Sequence, residues 1–270
     1  MVPVPLTAWN VSVVTGASGG IGEALARRLA AQGSDLVLVA RRREDLDRVA
    51  AELRERHGIT VDVLTADLTA DDGIAAVEAC IRERRPDLVV NNAGFGIVGP
   101  FADSEVEQVD GMVRLNVLAL TRLARAAVAT MVERGSGAVV NVGSIAGEIA
   151  GPNLAVYAGT KAYVRVFTES LAEELRGTGV HVQALLPGVT RTGFQEVAGD
   201  VGGSLPSFLW QDADEVAAAC LAGLRRRQVV TVSGVHNKAF VAGVTLLPGS
   251  LARRIAGLAS RARGRDRSPV

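Results

Sequence analysis

Ser144, Tyr157 and Lys161 lie within one stretch of the chain, SIAGEIAGPNLAVYAGTK, and carry the groups of an acid–base catalyst. Ser144 ends an apolar run that reads as a strand, and Tyr157 and Lys161 stand four apart on the helix expected after it. At helical spacing such residues share a face, with side chains roughly 5–6 Å apart. A phenol ordinarily loses its proton near pH ~10. An ammonium at about 5 Å, at an effective dielectric of about 20, favours the phenolate by roughly 3 kcal/mol, or about two pKa units. The pair is therefore expected to bring a phenol toward working pH, where a general acid/base is most effective. A lone Tyr-x-x-x-Lys also arises by chance on helices, so the rest of the chain has to decide.

The elements around this stretch alternate between apolar strands and amphipathic helices. Val11–Val14 leads into Thr15-Gly16-Ala17-Ser18-Gly19-Gly20-Ile21-Gly22, and a helix with Ile21, Leu25 and Leu29 on one stripe runs to about Gln32. Strand, glycine-rich turn and helix in that order make a phosphate site, because glycines admit close backbone approach and the helix N-terminus offers free N–H groups. The spacing of Gly16, Gly20 and Gly22 differs from G-x-G-x-x-G, and glycines also serve turns for structural reasons alone. A second strand, Leu36–Ala40, ends without a carboxylate and is followed by Arg41, Arg42 and Arg43. An acidic residue there binds ribose hydroxyls in dinucleotide folds, whereas arginine accommodates a 2′-phosphate. The reading is NADP(H) over NAD(H), the alternative being that these arginines are the solvated start of the helix at 43–57.

Asp67 sits at the carboxyl end of a third strand, Val61–Leu64, on the edge where open α/β sheets bind ligands. A helix at 70–84 precedes Leu88-Val89-Val90-Asn91-Asn92-Ala93-Gly94, which brings backbone to the same edge. Ser104-x-x-Glu107 reads as a capping box opening a helix to about Glu133, with Val109, Met112, Val113, Leu120, Leu123 and Val128 setting its period. Asn116 lies mid-helix among apolar neighbours, where its amide is costly unless satisfied. Strand Ala138–Val142 delivers Ser144, the Tyr157 helix runs to about Arg176, and strand Val180–Leu186 ends in Pro187-Gly188-Val189-Thr190-Arg191-Thr192. The stretch 192–211, with Phe194, Leu205, Phe208, Leu209 and Trp210, is expected to be a substrate lid and suggests a partly apolar substrate. Asp212-x-x-Glu215 begins another helix, to about Arg226, and Val229–Val232 is the seventh strand. The fold class is α/β, a parallel sheet covered on both faces.

Lys+Arg and Asp+Glu are both 29 in 270 residues, so no global field draws the chain to nucleic acid. Cys80 and Cys220 show no metal or redox spacing and imply no disulfide framework, which points to the cytoplasm. The N-terminus lacks a signal-peptide pattern, and no uncharged apolar run reaches the ~18–20 residues of a spanning helix. The chain divides into a catalytic unit at 1–235 and a basic C-terminal extension at 236–270, the latter carrying seven basic residues and one acidic. That extension reads as a packing arm or subunit contact, with peripheral contact to anionic lipid as the alternative.

Taken in order, Thr15-Gly16-x-x-x-Gly20-x-Gly22, Asp67, Asn91-Asn92-Ala93-Gly94, Asn116, Ser144, Tyr157-x-x-x-Lys161 and Pro187-Gly188 with Thr192 resemble the short-chain dehydrogenases/reductases, over essentially residues 9–235. The resemblance implies a Rossmann-type, doubly wound, seven-stranded parallel sheet and a dinucleotide-dependent oxidoreductase acting on a ketone, aldehyde or alcohol. It implies that Tyr157 is the general acid/base, that Lys161 lowers its pKa and binds the nicotinamide ribose, and that Ser144 holds the substrate oxygen. Asn116 would anchor a water through which protons reach Lys161. Gly16, Ser18, Gly20, Ile21 and Gly22 would line the pyrophosphate, and Asp67 and Leu68 would flank adenine. Asn92, Ala93 and Gly94 would lie beside adenosine and ribose. Pro187 and Gly188 would complete the cofactor site, with Val189, Thr190 and Thr192 holding the carboxamide. Arg41 matches the NADP-preferring members. The glycine turn departs from many of them, because Ser18-Gly19 stands where they carry a basic residue, leaving the phosphate to Arg41 and Arg42. An NAD(H)-linked alcohol dehydrogenase and a non-catalytic dinucleotide-binding scaffold or sensor are the other readings. Members usually assemble as dimers or tetramers through the long helices that contain Asn116 and Tyr157.

Overall fold

The computed structural model describes residues 9–192, 206–251 and 253–254. Its strands are β1 (Val11–Thr15), β2 (Asp35–Ala40), β3 (Val61–Thr65), β4 (Leu88–Asn91), β5 (Gly137–Val142), β6 (Val180–Leu186), β7 (Thr190–Arg191), β8 (Gln211–Asp212) and β9 (Val230–Val232). Seven of them form one sheet in the order β3-β2-β1-β4-β5-β6-β9, all parallel. Strand order reverses between β1 and β4, and the crevice outside their carboxyl ends is where such sheets take ligands. The strands are nearly continuous runs of Val, Leu and Ala because neither face of the sheet meets water.

One face is covered by α1 (Gly20–Ala30), α2 (Arg43–His57) and α7 (Ala213–Arg225), which bury Leu25, Leu29, Leu46, Leu53 and Leu224. The other is covered by α3 (Asp71–Arg84), α5 (Leu120–Arg134) and α6 (Ala155–Glu174), with Ile74, Ile81, Leu123 and Met131 in the core. The expected doubly wound Rossmann-type architecture is therefore present. The pair β7–β8, also parallel, is separate from the main sheet and too short to announce itself by periodicity. The proposed boundary at 235/236 falls one residue into a further helix, α8 (Val235–Leu246).

The long helix before β5 differs from its sequence reading at both ends of its first half. It starts at Val106, as α4 (Val106–Val113), without a side-chain cap. Ser104 is not its capping residue, because its hydroxyl donates to the Pro100 carbonyl (3.4 Å) across the short 3-10 turn Phe101–Asp103. Between α4 and α5 the chain widens into a π-helical segment, Arg114–Ala119. A wider turn shifts the helical phase, and Val113, expected on the apolar stripe, is exposed. The combined segment Val106–Arg134 is long and apolar enough to cross a membrane by length and composition, but half of its most apolar 18-residue window is buried within the fold.

Beneath the carboxyl edge runs a chain of buried amides. Asn91 donates to Asn141 Oδ1 (2.9 Å), Asn141 donates to Thr168 (3.0 Å), and Thr168 donates to the Val164 carbonyl (2.7 Å). It ties β4, β5 and α6 together in the element set that carries the candidate catalytic groups. Asn141→Leu keeps the branching at Cγ but strands the Asn91 amide, whose other contact, to the Leu120 carbonyl, is long at 3.4 Å. We expect a loss of about 1–3 kcal/mol in urea unfolding; an unchanged midpoint would show that the amide chain contributes nothing net.

Candidate active site

The glycine turn is shaped by what lies against it. Gly16 and Gly20 have φ of 67° and 56°, left-handed values that a side chain resists. A Cβ at Gly16 would stand 2.7 Å from the Asn92 amide, and one at Gly22 would strike the Gly16 carbonyl. The Thr15 hydroxyl donates to the Val90 carbonyl (3.2 Å) and accepts from the backbone N–H groups of Asn92 and Ala93, both at 3.0 Å. Asn92 answers by donating to the carbonyls of Thr15 (2.9 Å) and Gly16 (3.2 Å). The β4 turn thus holds the glycine turn open at the switch point, and the Asn92 amide is used as a brace. Ser18 and Ile21 are half-buried on the same turn.

At the next strand ends, Arg41 and Arg42 are exposed. Arg42 is ion-paired with Asp45 in the first turn of α2. Arg41 acts on Asp67: burial pushes that carboxyl up, but hydrogen bonds from the Thr69 N–H (2.9 Å) and hydroxyl (2.8 Å), with the Arg41 charge, hold it below its usual range. Leu68 is turned into the core beneath them. Asp67 and Arg41 are thereby adjacent at the ends of β2 and β3.

Asn116 is buried in the π-helical segment, with its Oδ1 accepting from the Phe95 N–H (3.2 Å). Its Nδ2 donates to the Phe95 carbonyl (2.8 Å) and to Thr160 (3.1 Å), whose hydroxyl in turn donates to the Tyr157 carbonyl (2.8 Å). Gly94 completes the approach: a Cβ there would lie 2.9 Å from Asn116 Oδ1 and 3.4 Å from Lys161 Nζ. The amide that looked costly in sequence is therefore fully satisfied. Thr160 and the Phe95 backbone were not foreseen, although Thr160 is adjacent to Lys161 in sequence.

Ser144 is buried and begins the 3-10 turn Ile145–Glu148, accepting from the Ala146 N–H (3.1 Å). That turn rests directly on α6, since a Cβ at Gly147 would stand 2.7 Å from the Ala162 nitrogen and from the Lys161 carbonyl carbon. An ion pair between Glu148 and Arg165 fastens it one turn further along α6. Ser144 is thus held across from Tyr157, to which it hydrogen-bonds. Lys161 is 5% exposed, its Nζ 5.8 Å from the Tyr157 ring centre and donating to the Val142 carbonyl (2.9 Å).

The electrostatics differ from the sequence expectation. Burial pushes the Tyr157 phenol up, partly offset by the Ser144 hydrogen bond, and no lowering by Lys161 accompanies it. Burial also lowers Lys161, to about 8. Both groups are desolvated together, so each favours its neutral form. Tyr157 keeps its proton at neutral pH, the form required of an acid.

On the far side, the Pro187 carbonyl accepts from the Ile145 N–H (3.0 Å), linking the β6 turn to the turn after Ser144. Thr190 donates to the Gly188 carbonyl (3.0 Å), the Val189 carbonyl accepts from the Gln211 N–H (2.9 Å), and the Thr192 methyl faces Gly20. The 187–192 turn therefore reaches across to the glycine turn. Behind it, Asn237 of α8 lies so close to Gly188 that any Cβ there would strike its amide. Asn237 donates to Gln211 Oε1 (2.9 Å) and to the Ser233 carbonyl (2.8 Å), and Ser233 also donates to Gln211 (2.7 Å). This tie was missed; a polar residue in an apolar tail was its one signal. Of the expected lid, Phe194 and Leu205 lie outside the described residues, and Leu209 and Trp210 are half-buried.

All the predicted site residues among the described ones thus gather along one sheet edge, with glycines where a nucleotide would need room. A family model described as short chain dehydrogenase matches residues 10–200. Sulfoacetaldehyde reductase 2 of Chromohalobacter salexigens is 36% identical over 222 residues, 80% of this chain and 86% of that protein. A short-chain dehydrogenase from Sphingobium yanoikuyae, solved in complex with NADPH, is 40% identical with a TM-score of 0.81, covering 87% of this chain and 92% of that one. The bulky-bulky ketone specific alcohol dehydrogenase from Comamonas testosteroni is 34% identical with a TM-score of 0.77, covering 91% and 96%.

The burial of Lys161 has a consequence for stability. The unfolded lysine keeps its proton up to about the ordinary 10.5, the folded one only to about 8. Between these values unfolding takes up a proton, so stability rises with pH through that window, and the penalty is fully present below it. Relative to Lys161→Met, the wild-type protein should gain up to about 3 kcal/mol from pH ~8 to ~10.5 in urea unfolding. Parallel profiles for the two proteins would mean that the ammonium is not desolvated.

Proposed function

The chain belongs to the short-chain dehydrogenase family, and from that membership we propose that it is an NADP(H)-dependent carbonyl reductase, running also in the alcohol-oxidising direction. The observation that carries this reading is the Ser144–Tyr157–Lys161 group, with Ser144 and Lys161 buried, Tyr157 half-buried and its phenol protonated, at the sheet edge that also holds the glycine cradle. Gly16, Ser18, Gly20, Ile21 and Gly22 would hold the pyrophosphate, and Asp67 with Leu68 the adenine. Ala93 and Gly94 would lie beside the riboses, with Asn92 fixing the turn. Pro187, Gly188, Val189, Thr190 and Thr192 would hold the carboxamide. The dinucleotide supplies hydride when bound. Tyr157 gives its proton to the carbonyl oxygen, and Ser144 steadies that oxygen. Lys161 holds the ribose and stands next in line to return the proton, with Asn116 holding its turn through Thr160 and anchoring the relay.

NADP(H) is preferred here because Arg41 stands at the end of β2 where a ribose-binding carboxylate is absent, and the Sphingobium yanoikuyae enzyme, 40% identical, is complexed with NADPH. Arg42 is engaged by Asp45, so Arg41 is the main reader. The apolar residues of the 192–211 stretch, Leu209 and Trp210 among them, support a partly apolar substrate. The relatives include, by name, a sulfoacetaldehyde reductase and a bulky-bulky ketone specific alcohol dehydrogenase. Exposed Val106, Leu118, Tyr163 and Val166 on the long helices support a homodimer or homotetramer assembled through that face. The two unpaired thiols of Cys80 and Cys220 support a cytoplasmic location. Residues 236–270 are kept as a basic extension of the catalytic unit.

Tyr157→Phe should lower kcat by about 10²–10⁴-fold on any accepted carbonyl while NADPH binding, followed by nicotinamide fluorescence, stays within about twofold. Full activity in that variant would remove Tyr157 as the acid. Arg41→Ala should weaken NADPH roughly ten- to a hundredfold and leave NADH unchanged. Preference for NADH, or no effect of the change on cofactor affinity, would remove Arg41 as the phosphate reader and favour an NAD(H)-linked alcohol dehydrogenase.

A further inference from the structure

From Val216 to Arg265 the sequence has no aspartate or glutamate but nine lysines and arginines. In a chain with no net charge, that fifty-residue stretch carries +9 and the remainder −9. Within it lies α8, of whose residues Asn237 alone is buried. Val235 is 83% exposed, Leu246 85%, and Phe240 and Leu251 are also exposed. No charge occurs between Ala239 and Leu251, whereas exposed Lys238, Arg253 and Arg254 flank that interval. A helix pinned by one polar side chain, with large apolar residues in water, calls for an apolar medium to cover it.

The charge pattern selects the medium. A second copy meeting this face about a two-fold axis would bring the same positive stretch against itself. An acidic protein surface would match the charge but not the uncharged interval between Ala239 and Leu251. An anionic bilayer offers both parts, acyl chains for the apolar residues and phosphates for lysine and arginine, and such two-part signals are what make interfacial binding stable. We propose that α8 and the described residues that follow it dock on an anionic membrane surface, with Phe240, Leu246 and Leu251 in the headgroup–acyl boundary and Lys238, Arg253 and Arg254 against lipid phosphates. Because Asn237 abuts Gly188, the docked helix would set the mouth of the crevice beside the lipid.

The test is co-sedimentation of the full-length protein with vesicles of phosphatidylcholine alone and of phosphatidylcholine mixed with phosphatidylglycerol. Wild-type protein should bind the mixed vesicles, release partly at high salt and ignore phosphatidylcholine. The double variants Phe240→Ser/Leu246→Ser and Arg253→Glu/Arg254→Glu should each bind roughly tenfold or more weakly, with thermal midpoints unchanged. No binding by wild type overturns the proposal. Binding that the serine variant retains in full overturns it too, because the apolar face would then take no part. Loss of a dimer in that variant by sedimentation velocity, without vesicle binding by wild type, would assign the face to a second copy.

Discussion

The site depends on removing one ammonium from water. Lys161 lies almost wholly inside the protein and donates to the Val142 backbone carbonyl; an isolated cation in that position is strongly unfavourable. The Val142 carbonyl and the amine's lowered titration offset part of the penalty, while Gly94 leaves room beside Nζ and the Asn116 amide, and Gly147 packs against the Lys161 backbone. Each of those contacts also fixes something else. Gly147 sets the height of Ser144 over α6, and Asn116 locks the π-helical segment to Thr160. The desolvation that destabilises Lys161 is thus inseparable from the geometry that aligns Ser144 and Tyr157. The same desolvation leaves the phenol protonated.

Much of the fold was legible because a parallel sheet with two covered faces writes itself as apolar runs. β6 was read to its end residues, and the strands of the main sheet differ from their sequence bounds by a residue or so. Helix ends were harder. Ser104 and Glu107 have the chemistry of a cap, but Ser104 is occupied by the preceding 3-10 turn, which is a tertiary choice. The π-helical segment was invisible for a related reason: its wider turn is stabilised by Asn116 reaching the Phe95 backbone, 21 positions away. Periodicity counts neighbours along one helix and has no access to that bond.

The site residues were legible by type and order, their electrostatics only in part. Spacing placed Lys161 near Tyr157 correctly, at 5.8 Å from the ring. It assumed that the lysine charge would bring the phenol down, whereas burial is the larger influence and pushes the phenol up and the lysine down. Asn92 was expected along the nucleotide and is found bracing Thr15 and Gly16, because its amide has two backbone carbonyls within reach. Ties between distant segments, such as Asn237 with Gln211 and Glu148 with Arg165, had no signal beyond a polar residue in unexpected company.

The contact between Asn237 and Gly188 has a bearing on how this chain is divided or recombined. The family match ends at residue 200, and a truncation at that limit, or a chimera joined after β9, would remove the side chain against which the Gly188 turn is moulded. Glycine at 188 and asparagine at 237 therefore fit as a pair in this chain: a side chain at the first would strike the amide of the second. A segment outside the recognisable motif is, at this one point, part of the mould in which the cofactor edge is cast.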